Sequence, residues 1–276
     1  MKSMFRDVKN CQDVIRDNFN KPLEMTAKEE CNFKKATRCH ICNKKYKDSD
    51  ERVRDHCHIT GKYRGSAHAA CNLKLQISAE KIKIPVIFHN LRGYDSHFII
   101  NELGELISEG EDVSIDVIAC NTEKYMAFYI GKHLAFIDSF QFMGSSLEKL
   151  AGNLSKERFI YIREYFPNER QFNLMKSKGV HPYDYMDSFS KFSDTVLPLR
   201  EDFYSLLNDE EISDDDYNHA KDVWYTFSIK NMGEYHDLYL GTDVLLLADV
   251  FENFRLACLK NYRLDPCHDV SSPGLS

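Results

Sequence analysis

Apolar residues at Phe5, Val8, Cys11, Ile15 and Phe19 recur at helical spacing and predict an amphipathic helix over residues 4–19. A polar, lysine-rich link follows, then a block dense in cysteine and histidine from Cys39 to Asn72. "KIKIPVIFHN" predicts a buried strand, with Pro85 tolerated near its start. "DSHFIINELGELI" predicts a helix, and "VSIDVIA" a strand whose one face carries Val113, Ile115 and Val117. "KYMAFYI" and "LAFIDSF" predict a β-hairpin closed by a turn containing Gly131. Residues 145–152 are expected to begin a helix at Ser145 or Ser146. Residues 160–235 are aromatic, acidic and rich in turn formers, and are read as helices and loops. "YHDLYLGTDVLLLADVFENFRLACL" predicts a helix whose buried stripe is Val244, Leu247, Phe251 and Phe254. The closing "LDPCHDVSSPGLS" carries no helix or strand signal. Strands and helices intermixed after residue 84 indicate an α/β domain.

The chain has 276 residues, 43% of them hydrophobic, enough for one large domain or two. Its net charge of −7 excludes a uniformly basic nucleic-acid binder. The charge is uneven. Residues 33–83 hold 13 Lys/Arg against 5 Asp/Glu, a net of +8, and residues 201–222 hold 9 Asp/Glu against one Lys, a net of −8. A local basic block is the footprint of a phosphate-contacting surface. No run approaches the ~18 apolar residues of a membrane span, and the start leads into no apolar leader core. With nine cysteines, an odd number, the expected setting is intracellular and reducing, without a membrane partner. Clustered cysteines are then read as metal ligands before disulfides.

Zinc takes four N/S ligands in a tetrahedron, usually as two close pairs brought together by a loop. Cys39 and Cys42 are the first pair, and His68 and Cys71 the natural second. Each two-residue gap lets a tight turn aim both side chains at one ion. His40, His56, Cys57 and His58 compete as ligands. At "CHIC", "RDHCHITGKYRG" and "CN" the block resembles the recombination endonuclease VII type of HNH module. The resemblance implies a small zinc-bound ββα module, with His56 activating water and Asp55 and Asn72 holding a Mg²⁺ ion. It also implies that Arg52, Arg54, Lys62 and Arg64 face phosphates. His68 departs from the pattern, standing where that family usually has cysteine.

"IPVIFHNLRGYDSHFIINEL" resembles the second exonuclease motif of family-B DNA polymerases, in their protein-primed class. "YLGTD", Tyr239 to Asp243, resembles the third, and positions i and i+4 share a helix face. "GVHPYDYMDS", "EDFYSLLNDEEISDDDY" and "LDPCHDVSSPGLS" are similar to the Polinton-like members. The resemblance implies an α/β, ribonuclease-H-like 3′–5′ exonuclease core, incomplete here, preceded by the zinc module. Asp95 and Asp243 would hold Mg²⁺ or Mn²⁺, and Tyr239 would orient the attacking water. Asn90, Ser139 and Phe140 would contact single-stranded DNA, in particular a 3′ end. A terminal priming protein is the implied partner. Expected segments are an N-terminal helix and linker (1–37), the zinc module (38–80), the exonuclease-like domain (81–262) and the start of a polymerase region (263–276).

Two absences limit that expectation. No Asp-x-Glu precedes Asn90, and no palm aspartate motif occurs. Losing half of a two-metal carboxylate shell removes far more than the ~3 kcal/mol typical of one electrostatic group. The leading expectation is therefore a polymerase fragment that is inactive alone. Its rivals are a zinc-stabilised HNH-type nicking endonuclease and an inactive, transposon-derived DNA-binding protein.

Overall fold

The computed structural model describes residues 2–74, 82–93, 95–108, 114–121 and 124–275. The chain forms two compact units, Met1–Val86 with Tyr94–Phe136, and Ile87–Gly93 with Ile137–Ser276. The expected segments follow motifs, whereas these units follow packing. As a result the "FHNLRG" turn groups with the C-terminal half.

In the first unit, α1 (Lys2–Asp17) occupies the predicted N-terminal stretch. The lysine-rich link is not all link: it contains α2 (Ala27–Lys35). Its start is fixed by a capping box, Thr26 Oγ1 accepting from the Glu29 amide and the Glu29 carboxylate accepting from the Thr26 amide. Phe33 buries the inner side of α2. β1 (Arg52–His56) and β2 (Tyr63–His68) pair antiparallel, with Asp55 opposite Gly65 and an irregularity between Asp55 and His56. α3 (Ala69–Lys74) follows β2 directly and completes a ββα unit.

The remaining strands are β3 (Ile84–Phe88), β4 (Ile115–Ala119), β5 (Tyr125–Ile130) and β6 (Leu134–Asp138). They form a sheet in the order β3-β6-β5-β4, with α4 (Asp95–Ser108) between β3 and β4 in the chain. Gly131 closes the predicted hairpin at φ 57°, a left-handed conformation that glycine adopts without strain. Phe128 and Phe136 stack across the hairpin at 4.6 Å and are fully buried. Ile115 and Val117 pair with buried Ile130 and Phe128 and share their face, but β4 is an edge strand and Val117 stays 43% exposed. Val113 lies outside the described residues. The fold is thus mixed α/β with small sheets.

In the second unit α5 (Leu147–Gly152) starts at Ser146, whose hydroxyl accepts from the Lys149 amide. α6 (Ile160–Tyr165), α7 (Glu169–Met175) and α8 (Asp214–Thr226) pack with the long α9 (Met232–Tyr262). Phe159, Ile162, Phe172, Trp224, Met232 and Leu246 lie in one buried cluster. The acidic run Asp214–Asp216 is the first turn of α8, where carboxylates complement the helix dipole.

The buried stripe of α9 differs from the expected one. Phe251 is buried and Leu247 and Phe254 are half-buried, as expected, but Tyr235, Tyr239, Thr242, Leu246, Asp249 and Val250 also face inward, while Val244 is 66% exposed. The inner side carries two polar residues, Thr242 and Asp249, that apolar periodicity does not count. Asp249 is fully buried and accepts the amides of Ile160, Tyr161 and Ile162 at 2.7–3.1 Å, so it caps α6 from across the core. The C-terminal stretch forms short 3-10 turns at Pro266–His268 and Ser272–Leu275. Among the described residues no helix is long and apolar enough to cross a membrane.

Candidate metal centre and nucleic-acid interface

Cys39 and Cys42 lie in the turn after α2, His68 ends β2, and Cys71 lies in α3. Their ligand atoms all fall within 4.8 Å of one another. His40, His56, Cys57 and His58, the competing ligands, stay outside the set. His68 Nδ1 stands 3.5 Å from Cys42 Sγ and 3.8 Å from Cys71 Sγ. Tetrahedral zinc with bonds of about 2.0–2.3 Å places its ligand atoms about 3.5–3.8 Å apart, so this donor set fits that ion.

Residues around the cluster support anionic sulfur. The His68 amide donates to Cys39 Sγ at 3.4 Å. Burial alone would raise the Cys39 thiol, but amides of Cys42, His68 and Ile41 outweigh it and bring it down to about 6. Cys71 is pushed up to about 11 by burial and by the neighbouring sulfurs, the repulsion a cation would relieve. His68 Nε2 faces Asp50 Oδ2 at 3.2 Å, which orients the ring with Nδ1 toward the sulfurs. Asp50 was not predicted; it belongs to no spaced pair.

Asp55 is almost fully buried and both of its oxygens are engaged. Oδ1 accepts from Arg64 Nη2 at 2.6 Å, and Oδ2 from His40 Nε2 at 2.8 Å. His40 reaches it because residue 65 is glycine: a Cβ there would lie 2.5 Å from the His40 ring. His56 is half-buried, its ring 4.7 Å from that of His58. Asn72 is half-buried on α3.

The basic residues expected to face phosphate are partly committed within the protein. Arg54 makes a two-pronged pair with Glu30, at 2.8 Å and 3.0 Å, over the Phe33 ring. Arg52 donates to the Ala36 carbonyl and lies over Phe33 and Tyr46. Arg64 is held by Asp55, and Lys62 is exposed at the start of β2.

In the second unit a fully buried carboxylate, Asp138, organises the "HNLR" turn. It accepts the amides of Asn90 (2.8 Å), Arg92 (3.4 Å) and Phe140 (3.0 Å). This holds Asn90 at φ 67° with its side chain exposed. Ser139, expected at a DNA contact, is fully buried with its hydroxyl on His89 Nδ1 at 2.9 Å. Phe140 is half-buried between His89 and Arg92.

Ile87, Phe88 and His89 line a cavity of about 520 Å³ together with Asp243, Tyr161 and Glu252. Asp243 Oδ1 is buried without a hydrogen bond among the described residues, and Oδ2 stands 3.7 Å from Lys178 Nζ. Burial raises the Asp243 carboxyl above the usual range, with Lys178 and Tyr239 opposing. Tyr239 donates to or accepts from Tyr183 at 2.7 Å between hydroxyls. Burial, then Tyr183 and Asp243, push the Tyr239 phenol upward. Lys178 and Tyr183 were not predicted, because they lie in an aperiodic loop. Asp95, the first residue of α4, belongs to the first unit, and Asp243 to the second.

No curated protein and no solved structure matches the chain. Residues 16–84 match the family model described as recombination endonuclease VII. The matched span runs from the end of α1 through the four-ligand cluster to β3, and makes this part of the molecule an endonuclease VII-like domain.

Proposed function

We propose that residues 16–84 are a zinc-stabilised DNA-binding module that nicks DNA as an HNH-type endonuclease. The observation that carries this reading is the convergence of Cys39, Cys42, His68 and Cys71 inside the span similar to endonuclease VII. Ligation at His68 and Cys71 ties β2 to α3, the helix carrying Asn72, while His56 lies on β1, the strand paired with β2. In this reading His56 takes the proton from the attacking water, and Asp55 and Asn72 hold Mg²⁺ or Mn²⁺. The bound ion supplies charge stabilisation at the scissile phosphate.

Asp55 serves a cation only after Arg64 leaves it. A DNA phosphate is a fitting exchange partner for that guanidinium, since both anions accept two parallel N–H bonds. Arg52 and Lys62 reach solvent and add phosphate contacts. Wild-type protein with Mg²⁺ should nick duplex or branched DNA, and His56→Ala should abolish nicking with zinc content and DNA affinity unchanged. Salt-sensitive DNA binding without any wild-type nicking would reduce the reading to a DNA-contacting module.

A second reading is favoured by the cavity that joins Ile87–His89 to Asp243, with Lys178 beside the carboxylate and Tyr183 beside Tyr239. It is a family-B polymerase fragment with a ribonuclease-H-like 3′–5′ exonuclease region. Asp95 and Asp243 are then divalent-ion ligands, each on its own unit, Tyr239 orients water, and Asn90 and Phe140 meet a single-stranded 3′ end. A terminal priming protein belongs to this reading alone, and an intracellular site of action to both. If Asp95→Asn and Asp243→Asn each weaken Mn²⁺ binding, the reading gains. Mn²⁺ binding indifferent to Asp95→Asn removes it.

A further inference from the structure

Within the first unit, the two partners of Asp55 are seated with different firmness. His40 is the fixed one. It lies between the cluster residues Cys39 and Cys42, and its amide donates to the Ser66 carbonyl at 2.9 Å. Its ring fills the space that a side chain at Gly65 would take, and Gly65 stands opposite Asp55 in the β1–β2 ladder. From there Nε2 reaches Asp55 Oδ2. Arg64 is the movable partner. Its side chain is 34% exposed, and the bond from Nη2 to Asp55 Oδ1 is its only hydrogen bond among the described residues. The other N–H donors of the guanidinium remain for a further acceptor.

This guanidinium is a cation resting on a carboxylate that is 1% exposed, so it stands in for the divalent ion that Asp55 would hold. It also excludes that ion, because the 2.6 Å bond takes up Oδ1. Moving Arg64 alone would leave a buried carboxylate with His40 as its one partner, and an uncompensated buried charge is costly. Both losses are made good together when a phosphate gives the guanidinium two parallel bonds and a hard divalent ion takes the released oxygen.

We infer that Arg64 is an autoinhibitory latch on Asp55, which keeps divalent ions out of the module until a nucleic-acid phosphate draws the guanidinium away. The inference rests on the nuclease reading for Asp55 as an ion ligand. It adds that ion and DNA are taken up together, each raising the affinity of the other by the same factor. His40 is a positioning residue that keeps the carboxylate in place while Arg64 swings.

Mn²⁺ binding to the zinc-loaded full chain, followed by electron paramagnetic resonance, tests the latch without cleavage. In the absence of DNA, Arg64→Gln should bind Mn²⁺ at least about tenfold more tightly than the wild type at one site. Adding Asp55→Asn should remove that gain. In a His56→Ala chain, which keeps Arg64, a short DNA duplex should tighten the same Asp55-dependent site at least about tenfold, beyond the Mn²⁺ that the duplex binds alone. Equal Mn²⁺ affinity in DNA-free wild type and Arg64→Gln overturns the latch, as does a gain that survives Asp55→Asn. A duplex that leaves Mn²⁺ affinity unchanged overturns it as well. Nicking judges the nuclease reading separately. A wild type that nicks while Arg64→Gln gains no Mn²⁺ site keeps that reading and loses the latch; a wild type that never nicks, with the Mn²⁺ gain present, keeps the latch and loses cleavage.

Discussion

The zinc module and the helical unit around α9 hold their shapes by different means. In the module the buried apolar side chains among the described residues are small or isolated, such as Phe33 and Ala67. Its fixed points are polar: four converging ligand atoms, and Asp55 gripped by His40 and Arg64. The α9 unit buries a continuous cluster of aromatic and aliphatic side chains, with Asp249 as a polar anchor under α6. A ββα unit of this size cannot bury enough surface to fold on apolar packing alone, and the converging Cys/His cluster offers ligation in its place. The comparison teaches where each region is vulnerable.

Metal removal should separate the two most sharply. A structural zinc site contributes on the order of 10 kcal/mol of coupled binding and folding. Chelation, or Cys71→Ser, should therefore abolish amide-exchange protection in β1, β2 and α3 while α9 keeps its own. Equal loss in both regions would break the contrast.

The converse cut is Asp249→Ala. It strands three amide donors at the start of α6, that of Ile162 fully buried, and should cost about 3 kcal/mol in urea unfolding of the second unit. Zinc content should not change. Asp249→Asn, which keeps one acceptor oxygen, should cost less.

Acid should act on the helical unit through His181. Its ring faces Tyr183, Tyr235 and Tyr239, and its Nε2 lies 3.0 Å from His236 Nδ1. Burial, then His236, lowers its pKa from 6.5 to about 4. The unfolded chain therefore takes up this proton first. Stability from this group is complete above pH 6.5 and lost as pH falls toward 4, by about 2 kcal/mol. Urea midpoints across that range should show the slope, and His181→Phe should flatten it.

The smallest effect belongs to the rim of the module. Arg54→Ala removes an exposed pair with Glu30 and should lower the melting temperature only slightly, mostly through lost packing on Phe33.

Much of this organisation was legible in the chain. Paired Cys/His spacing named the four residues that converge in the cluster, since a two-residue gap has few ways to aim two side chains at different targets. The hairpin around Gly131 and the helix start at Ser146 followed from local turn and cap chemistry. The capping box Thr26-x-x-Glu29 was equally local, yet α2 went unpredicted because its lysines read as a link. Val244 was misplaced because periodicity assigns a helix one apolar face, and α9 turns polar Thr242 and Asp249 inward.

Asp50, Lys178 and Tyr183 lay beyond such reasoning. Each acts on a residue distant in sequence or in an aperiodic loop, and no spacing rule links the partners. The commitment of Arg64 and His40 to Asp55 is of the same kind.

The sequence by itself determined the two Cys/His pairs, the ββα order and most helix and strand positions, because these depend on neighbours a few residues apart. Only the tertiary structure decided which carboxylates are already occupied, which arginines still reach solvent, and which residues share the Asp243 cavity. Burial and pairing across the chain are set by packing, and packing is not written in any local pattern.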